Sequence, residues 1–486
     1  MNRTDMLMAI DIGTTSVKVI LFDVEGEERC AAAAKTNEAM PSGQSTAVDA
    51  DAVWTIIASL IRAAGCNANL SQVRAIGVTS LLCTVLLDRV GRPLGLGTTY
   101  ADRRAAAEAD ELKRTLGDAD VYRFSGKRID PEAAACKLLW TGRNEPAKFA
   151  AIDKVMSLKD YILLKLTGTA VTDPIHASYT LLSDIDASRW NESFLREIGA
   201  NPAWFPPIRP CTEAVGALSR EVSALTGLPA GIPVANGGPD GSVGCFGAGL
   251  VKPGIAVNVI GTTDVFFTQS ASRMEDPERR VIVNPHIYEG QWLIGGPMGL
   301  SGGTLDLLKK WTDDTNNDIF EIVSSIPPGA EGLLFITALG GERTPHWNPQ
   351  MRGVMAGIGP EHEKAHLFRA VLEGTSYPIK DVVDILKGMG LDISTVIAAG
   401  GGSRLPEWLQ IRADLTECPY AAYATTEFSS LGTAFIAGLA AGIFAKGQLP
   451  QMRDMTRYEP IPRRSLEYKR LHERYKTMRT WFESFY

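Results

Sequence analysis

Residues 6–22 carry an apolar run with Ile10 and Ile12 that breaks at Gly13-Thr14-Thr15-Ser16 and resumes as Val17, Val19, Ile20 and Leu21. Two apolar segments closed by a Gly/Thr turn predict a β-hairpin. The same arrangement returns near the middle of the chain: apolar residues 256–260, then Gly261-Thr262-Thr263-Asp264, then Val265, Phe266 and Phe267. The strings Ile12-Gly-Thr-Thr-x-Val17 and Ile260-Gly-Thr-Thr-x-Val265 superimpose, which points to a duplicated architecture with one hairpin per half. Between the halves, residues 247–254 form a Gly/Pro-rich join suited to a hinge.

Each half alternates strand-like and helix-like segments. In the first, 75–78 and 85–88 read as strands, and 105–116 and 134–140 as helices. In the second, 332–336 and 396–399 read as strands, and 366–389 and 408–416 as helices. Such alternation predicts α/β layers. Residues 463–486 read as an amphipathic helix whose stripe of Leu466, Tyr468, Leu471, Tyr475 and Met478 docks onto the second half. The longest apolar stretch, 431–445, contains Thr433 and three glycines and stops at Lys446. It falls short of the roughly 20 residues a bilayer needs and reads as a buried small-residue helix.

Composition narrows the class. The 486 residues are 45% hydrophobic and 22% charged, which excludes disorder and collagen-like repetition and suggests two or three domains. With 49 Lys+Arg against 56 Asp+Glu, a net charge of −7 and no basic block, nucleic acid is a poor partner and a small neutral or metal-neutralised ligand a better one. Asp5 and Asp11 leave no apolar core for a signal peptide, so no membrane role and a cytoplasmic location are expected. Seven dispersed cysteines without a C-x-x-C pair read as reduced thiols rather than a disulfide framework or zinc knuckle.

A Gly-Thr-Thr turn offers consecutive backbone N–H groups and two hydroxyls at one point, which suits phosphate oxygens. Two such turns across a cleft would clamp a polyphosphate. Asp11 adds a carboxylate for Mg²⁺ beside the first turn, and Lys18 returns along the second strand toward a terminal phosphate. A third glycine element, Gly400-Gly401-Gly402, follows a strand and precedes a helix near Pro406. Backbone there can approach a ligand closely, and the helix start favours an anion. No G-x-x-x-x-G-K-[ST] occurs, which excludes a P-loop enzyme. Asp240, in Asn236-Gly-Gly-Pro-Asp240-Gly-Ser-Val-Gly244, sits at the end of strand 232–235 among glycines, open to substrate as a general base must be. His362-Glu-Lys-Ala-His366 spells H-E-x-x-H, but it follows Gly357-Ile-Gly-Pro360 at a helix start, so zinc binding is set aside.

These residues resemble the FGGY carbohydrate kinases, of the xylulokinase and gluconokinase kind, a branch of the actin-like and Hsp70-like ATPase superfamily, over nearly the whole chain. The specific match is Gly353-Val-Met-Ala-Gly357-Ile358, seven residues, then His366-Leu367-x-x-Ala370-Val371-Leu372-Glu373. Asp11-Ile-Gly-Thr-Thr-Ser-Val-Lys18, Tyr100-Ala-Asp102-Arg103, Ser157-Leu-Lys-Asp-Tyr161, Gly341-Glu-Arg-Thr-Pro345 and Trp408-x-Gln410-x-x-Ala413-Asp414 match as well. The first-half signature around Lys137-Leu-Leu-Trp140 fits in part, since Ala134 and Thr141 depart from it. The resemblance implies an α/β fold of two ribonuclease H-like domains with a cleft between them. Residues 1–247 would bind the sugar and supply the base, and 248–486 would bind the nucleotide and end in the C-terminal helix. It implies ATP and Mg²⁺ as cofactors, a small sugar or polyol as partner, and allows a homodimer.

Carried over by position, Asp240 is implied as the catalytic base and Asp11 as a holder of Mg²⁺. Gly13, Thr14, Thr15 and Lys18 would meet the terminal phosphates, with Gly261, Thr262 and Thr263 opposite. Gly401 and Gly402 would face the α-phosphate and adenosine, and Asp306 would reach the nucleotide. Tyr100 takes the place of a family Trp that packs on the sugar, with Asp102 and Arg103 beside it. The departures fall on the sugar side. Xylulose and gluconate kinases usually carry Met-His where this chain has Leu82-Cys83, and glycerol kinases carry an aromatic where it has Glu132. A buried thiol is a weak substitute for an imidazole, so Glu132 is a candidate to supply the polarity. The expected activity is transfer of the ATP γ-phosphoryl to a hydroxyl of a pentulose such as xylulose, or a related ketose or polyol. The rival is an actin- or Hsp70-like ATP-binding protein acting by conformational change on a protein partner.

Overall fold

A computed structural model describes residues 4–40, 46–313, 319–450 and 454–485. The chain divides into two compact units. One comprises Met1–Gly247, Asn284–Gln291 and Glu427–Gln451; the other comprises Ala248–Val283, Trp292–Thr426 and Met452–Tyr486. Among the described residues no helix is long and apolar enough to cross a membrane.

In the first unit the predicted hairpin forms, with Met6–Ile12 antiparallel to Ser16–Asp23 and Ile12 opposite Val17. On its other side Met6–Ile12 runs parallel to Val73–Ser80. A central strand covered on both faces must be apolar almost throughout, and every position of Met6–Ile12 is buried. The sheet reads, in order, Glu28–Lys35, Ser16–Asp23, Met6–Ile12, Val73–Ser80, Pro233–Ala235 and Ala214–Ala217. The pairings run antiparallel, antiparallel, parallel, parallel, antiparallel.

The second unit repeats this succession. Its order is Trp292–Leu300, Thr263–Ser270, Gly254–Ile260, Ile393–Ala399, Tyr420–Tyr423 and Met455–Tyr458, with the same run of directions and one further strand, Ile282–Pro285, at the Trp292–Leu300 edge. The two Gly/Thr turns therefore occupy the same place in two matching sheets. The units differ in that the last antiparallel strand precedes its neighbour in the first chain half and follows it in the second.

The small-residue stretch is the helix Phe428–Ala440, and it belongs to the first unit despite its late place in the sequence. It lies against Met6–Ile12, Val73–Ser80 and the helix Asp240–Gly247. The approach is too close for side chains. A Cβ on Gly77 would stand 2.3 Å from the Thr433 carbonyl oxygen, one on Gly247 2.0 Å from that of Phe428, and one on Gly432 2.2 Å from that of Val243. Asp240, expected at the end of strand 232–235, directly follows the further short strand Gly238–Pro239 and begins a helix. Its glycines disfavour a helix by propensity, and tertiary contact overrides them.

The tail helix Pro462–Glu483 packs on the second unit with Ser465, Tyr468, His472, Tyr475 and Arg479 buried. Leu466, expected on that stripe, is 58% exposed. The true stripe admits His472 and Arg479 because carboxylates meet them: His472 Nε2 lies 2.8 Å from Asp381, and Arg479 Nε donates to Glu342 at 2.8 Å. His362 precedes the helix Lys364–Gly388 and accepts the Gly359 N–H, while His366 accepts that of Glu363, so the two rings do not form a helical zinc pair.

One buried ion pair binds the second hairpin to the helix Pro406–Thr416. Arg412 donates to both carboxylate oxygens of Asp264, at 2.9 and 3.1 Å, and to Ser301 at 3.2 Å. Both side chains are essentially inaccessible. Removing one partner strands a buried charge, so Asp264→Ala is expected to cost about 3–5 kcal/mol. Urea unfolding measures this, and a loss under about 1 kcal/mol would contradict the assigned role.

Candidate active site

The first unit gathers its chemistry at the carboxyl ends of parallel strands, where open α/β sheets leave a crevice. Asp11 is the next-to-last residue of Met6–Ile12. Gly238–Pro239 pairs with Thr79 and Ser80, and Asp240 follows at once. Leu81 N–H donates to the Ile12 carbonyl at 2.8 Å, and the Thr79 hydroxyl to that of Gly238 at 2.8 Å, which ties these strand ends together.

Asp11 is buried and accepts the Ser430 hydroxyl at Oδ2, at 2.9 Å, while its Oδ1 accepts no hydrogen bond among the described residues. Burial, and then the negative charge of Asp240, push its pKa up to about 7. Asp240 is enclosed by protein yet keeps part of its surface open. Burial raises its pKa as well, against the Gly241 N–H it accepts at 2.8 Å and the nearby His176. Two enclosed carboxylates that each resist ionisation are a donor set a divalent cation suits, since it would relieve their repulsion.

Lys18 stands opposite Asp11 in the hairpin register, and its Nζ is held by both oxygens of Glu427 at 2.6 and 2.8 Å. Both partners are about one-third exposed, so this pair is weak and a phosphate oxygen could compete for the ammonium. Thr36 fixes the first turn by donating its hydroxyl to the Gly13 carbonyl and its N–H to that of Thr15. The backbone N–H groups and hydroxyls of Thr14 and Thr15 donate to nothing among the described residues. They are the free donors a phosphate would use.

The second unit brings its own candidates together. Gly302 N–H donates to the Gly261 carbonyl at 2.9 Å and Gly303 N–H to that of Thr262 at 3.0 Å, so the turn Gly261–Thr263 is bound to the start of the helix Gly302–Trp311. Asp306 is exposed on that helix. Gly400, at φ +79°, would bring a Cβ within 2.7 Å of the Ile260 carbonyl, and Gly402 within 2.2 Å of the Ile260 side chain. Gly401 would meet nothing within 4 Å. Two of the three glycines are thus required by packing on the hairpin, and the third borders open space.

A cavity opens in the first unit beside the small sheet containing Cys83–Leu87 and Lys154–Ser157. Cys83, Tyr100 and Glu132 line it together with Lys137, His176 and Trp190. Burial pushes the Cys83 thiol up to about 12, so it stays neutral. Burial lowers the pKa of Lys137, whose Nζ donates to the Thr99 carbonyl at 2.7 Å. Asp102 and Arg103 are not on the wall. Asp102 is buried against Arg104 at 2.8 Å, and Arg103, half-exposed, pairs with Asp130 at 3.1 Å. Sequence reasoning missed His176, Glu427 and Ser430. The signal for His176 was local: Asp173 before Pro174 marks a helix start, which places residue 176 in the first turn.

Known proteins match this arrangement. The model of the FGGY carbohydrate kinase N-terminal domain matches residues 6–247, and that of the C-terminal domain residues 256–441. The chain belongs to the FGGY family of carbohydrate kinases. The xylulose kinase of Escherichia coli (strain K12) is 32% identical over 413 residues, 85% of each chain. The gluconokinase of Bacillus licheniformis is 27% identical over 493 residues, covering 96% of this chain and 94% of that one. The crystal structure of xylulose kinase from Rhodospirillum rubrum superimposes with a TM-score of 0.89 at 26% identity, covering 99% of both chains. This FGGY kinase is therefore an ATP-dependent enzyme that phosphorylates a sugar hydroxyl, with the two-domain α/β fold of its family. The matches do not favour an actin- or Hsp70-like protein working on a protein partner.

The raised pKa of Asp11 has a consequence for stability. The group moves from 3.8 to about 7 on folding, so the folded state holds the proton more tightly, and this contribution, full below about pH 4, is lost as pH rises through 7. Asp11→Asn removes the titration. In metal-free buffer the variant is expected to gain melting temperature over the parent at pH 8 and much less at pH 5; an equal offset at both would contradict it.

Proposed function

We propose that the substrate is a ketopentose of the xylulose type or a closely related polyol, held in the first-unit cavity, and that Asp240 accepts the proton of the hydroxyl that attacks the γ-phosphoryl. The observation carrying this reading is that Cys83, Tyr100 and Glu132 share one cavity with His176, whose helix Pro174–Tyr179 packs on Gly238–Pro239, directly before Asp240. Relatives named xylulose kinase favour the pentulose over other sugars.

Phosphoryl transfer asks mainly for positioning and charge stabilisation. In this reading the first chain half, 1–247, orients the sugar and carries the base, while 248–486 binds the nucleotide through Gly261, Thr262, Thr263, Gly401 and Gly402, with Asp306 at its margin. Thr14, Thr15 and Lys18 donate to the terminal phosphates, Lys18 exchanging Glu427 for phosphate oxygen, and Gly13, whose N–H is given to the Ser16 carbonyl at 3.0 Å, lets the turn's backbone approach them. Asp11 would hold Mg²⁺, which when bound neutralises phosphate charge. Asp240 takes the hydroxyl proton on its carboxylate, whose raised pKa brings its basicity closer to neutral pH. Seven free cysteines accord with a reducing cytoplasm.

An ADP-release assay over xylulose, gluconate and glycerol tests the substrate, with sugar-dependent turnover expected to be fastest with xylulose. Asp240→Asn is expected to bind ATP as the parent does and to lose about 10²–10⁴-fold in turnover. Parent-like phosphorylation by that variant would overturn the assignment of the base.

A further inference from the structure

We propose that His176, oriented by Asp173, is the imidazole that binds a substrate hydroxyl in the first-unit cavity, where Cys83 on the same wall offers only a neutral thiol. The proposal rests on the reading of that cavity as the sugar site.

His176 lies on the short helix Pro174–Tyr179, is 4% exposed, and lines the cavity. Its Nδ1 is 2.7 Å from Asp173 Oδ2. A carboxylate there only accepts, so the hydrogen sits on Nδ1 and the ring is fixed in orientation. The other nitrogen, Nε2, is buried and has no hydrogen-bond partner among the described residues. A buried polar atom left unpaired is costly, and native interiors seldom tolerate one without a ligand or water to complete it. A sugar hydroxyl both donates and accepts, so it satisfies Nε2 in either protonation state of the ring.

The support behind the imidazole is built with care for a single acceptor. Asp173 is completely buried and accepts the N–H groups of Ile175 and His176, each at 2.9 Å, and Lys159 Nζ lies 3.3 Å from its Oδ2. Although burial opposes ionisation, His176 and Lys159 hold this carboxyl well below the usual range. Lys159 is itself fixed by Asp160 at 2.8 Å and by the Asn236 carbonyl at 2.8 Å. Asn236 lies four residues before Asp240 and the helix of His176 packs on Gly238–Pro239, so this network joins the cavity wall to the segment that carries the base. The contact therefore acts on sugar binding and orientation rather than on the nucleotide.

The test compares His176→Asn with His176→Gln in steady-state kinetics on D-xylulose. An Asn amide can keep the hydrogen bond to Asp173 while removing Nε2; a Gln amide nitrogen can reach the place of Nε2. His176→Asn is expected to raise the sugar KM about tenfold with the KM for ATP within about twofold, and His176→Gln to recover part of the loss. An unchanged sugar KM in a folded His176→Asn protein would overturn the proposal. The single-deoxy pentuloses on the parent enzyme need no variant: one of them is expected to bind about tenfold more weakly, and equal binding of all of them would overturn it as well. Absence of any sugar-dependent ADP release by the parent would instead count against the kinase substrate reading.

Discussion

Backbone approach without side chains is the constraint on which the first unit depends. The helix Phe428–Ala440 reaches the central strands and the Asp240 helix only because Gly77, Gly244, Gly247 and Gly432 leave no Cβ in the way. Even one inserted methyl in a packed interior costs about 1–3 kcal/mol, and at Gly77, Gly247 and Gly432 the clashes are with backbone, which yields least. What the approach achieves is chemical as well as structural. Ser430 meets Asp11, the Ser429 hydroxyl donates to the Asp240 carbonyl at 3.1 Å, and Glu427 holds Lys18. This helix from late in the chain and the residue that caps it thus supply partners to Asp11, to Lys18 and to the backbone of Asp240.

Electrostatics follows from that geometry. Packing encloses Asp11 and Asp240 near one another, and both become reluctant to ionise. Such a pair resists carrying two charges at once, a repulsion that a divalent cation would relieve. In the second unit the position matching Asp11 is Val259, and the acid of that hairpin, Asp264, stands where the first has Ser16; it is locked to Arg412 and braces the turn that ends in Thr263. The repeated string therefore encodes the same backbone bend twice, with a buried acid before the bend in one unit and an ion-paired one after it in the other.

The hairpins, the strand entering Gly400-Gly401-Gly402, the docked tail and the small-residue helix were all legible, because each is written in local periodicity or turn chemistry. Membership in a unit was not. Nothing local in residues 427–451 or 284–291 reveals that they pack with the first chain half. The helix at Asp240 was hidden for the same reason: its glycines answer to a neighbour distant in sequence. On the sugar side, the family resemblance implied Asp102 and Arg103 beside Tyr100, and the structure pairs their charges with Arg104 and Asp130. His176 escaped notice because an isolated histidine acquires meaning only through what Asp173 and the cavity do with its two nitrogens.

The central claim is that the cavity walled by Cys83, Tyr100 and Glu132 presents a sugar hydroxyl to Asp240. A crystal structure with D-xylulose and a non-hydrolysable ATP analogue measures this directly. The account predicts the pentulose inside that wall with one hydroxyl about 3 Å from the Asp240 carboxylate. Sugar bound elsewhere, or no hydroxyl within reach of that carboxylate, would contradict it.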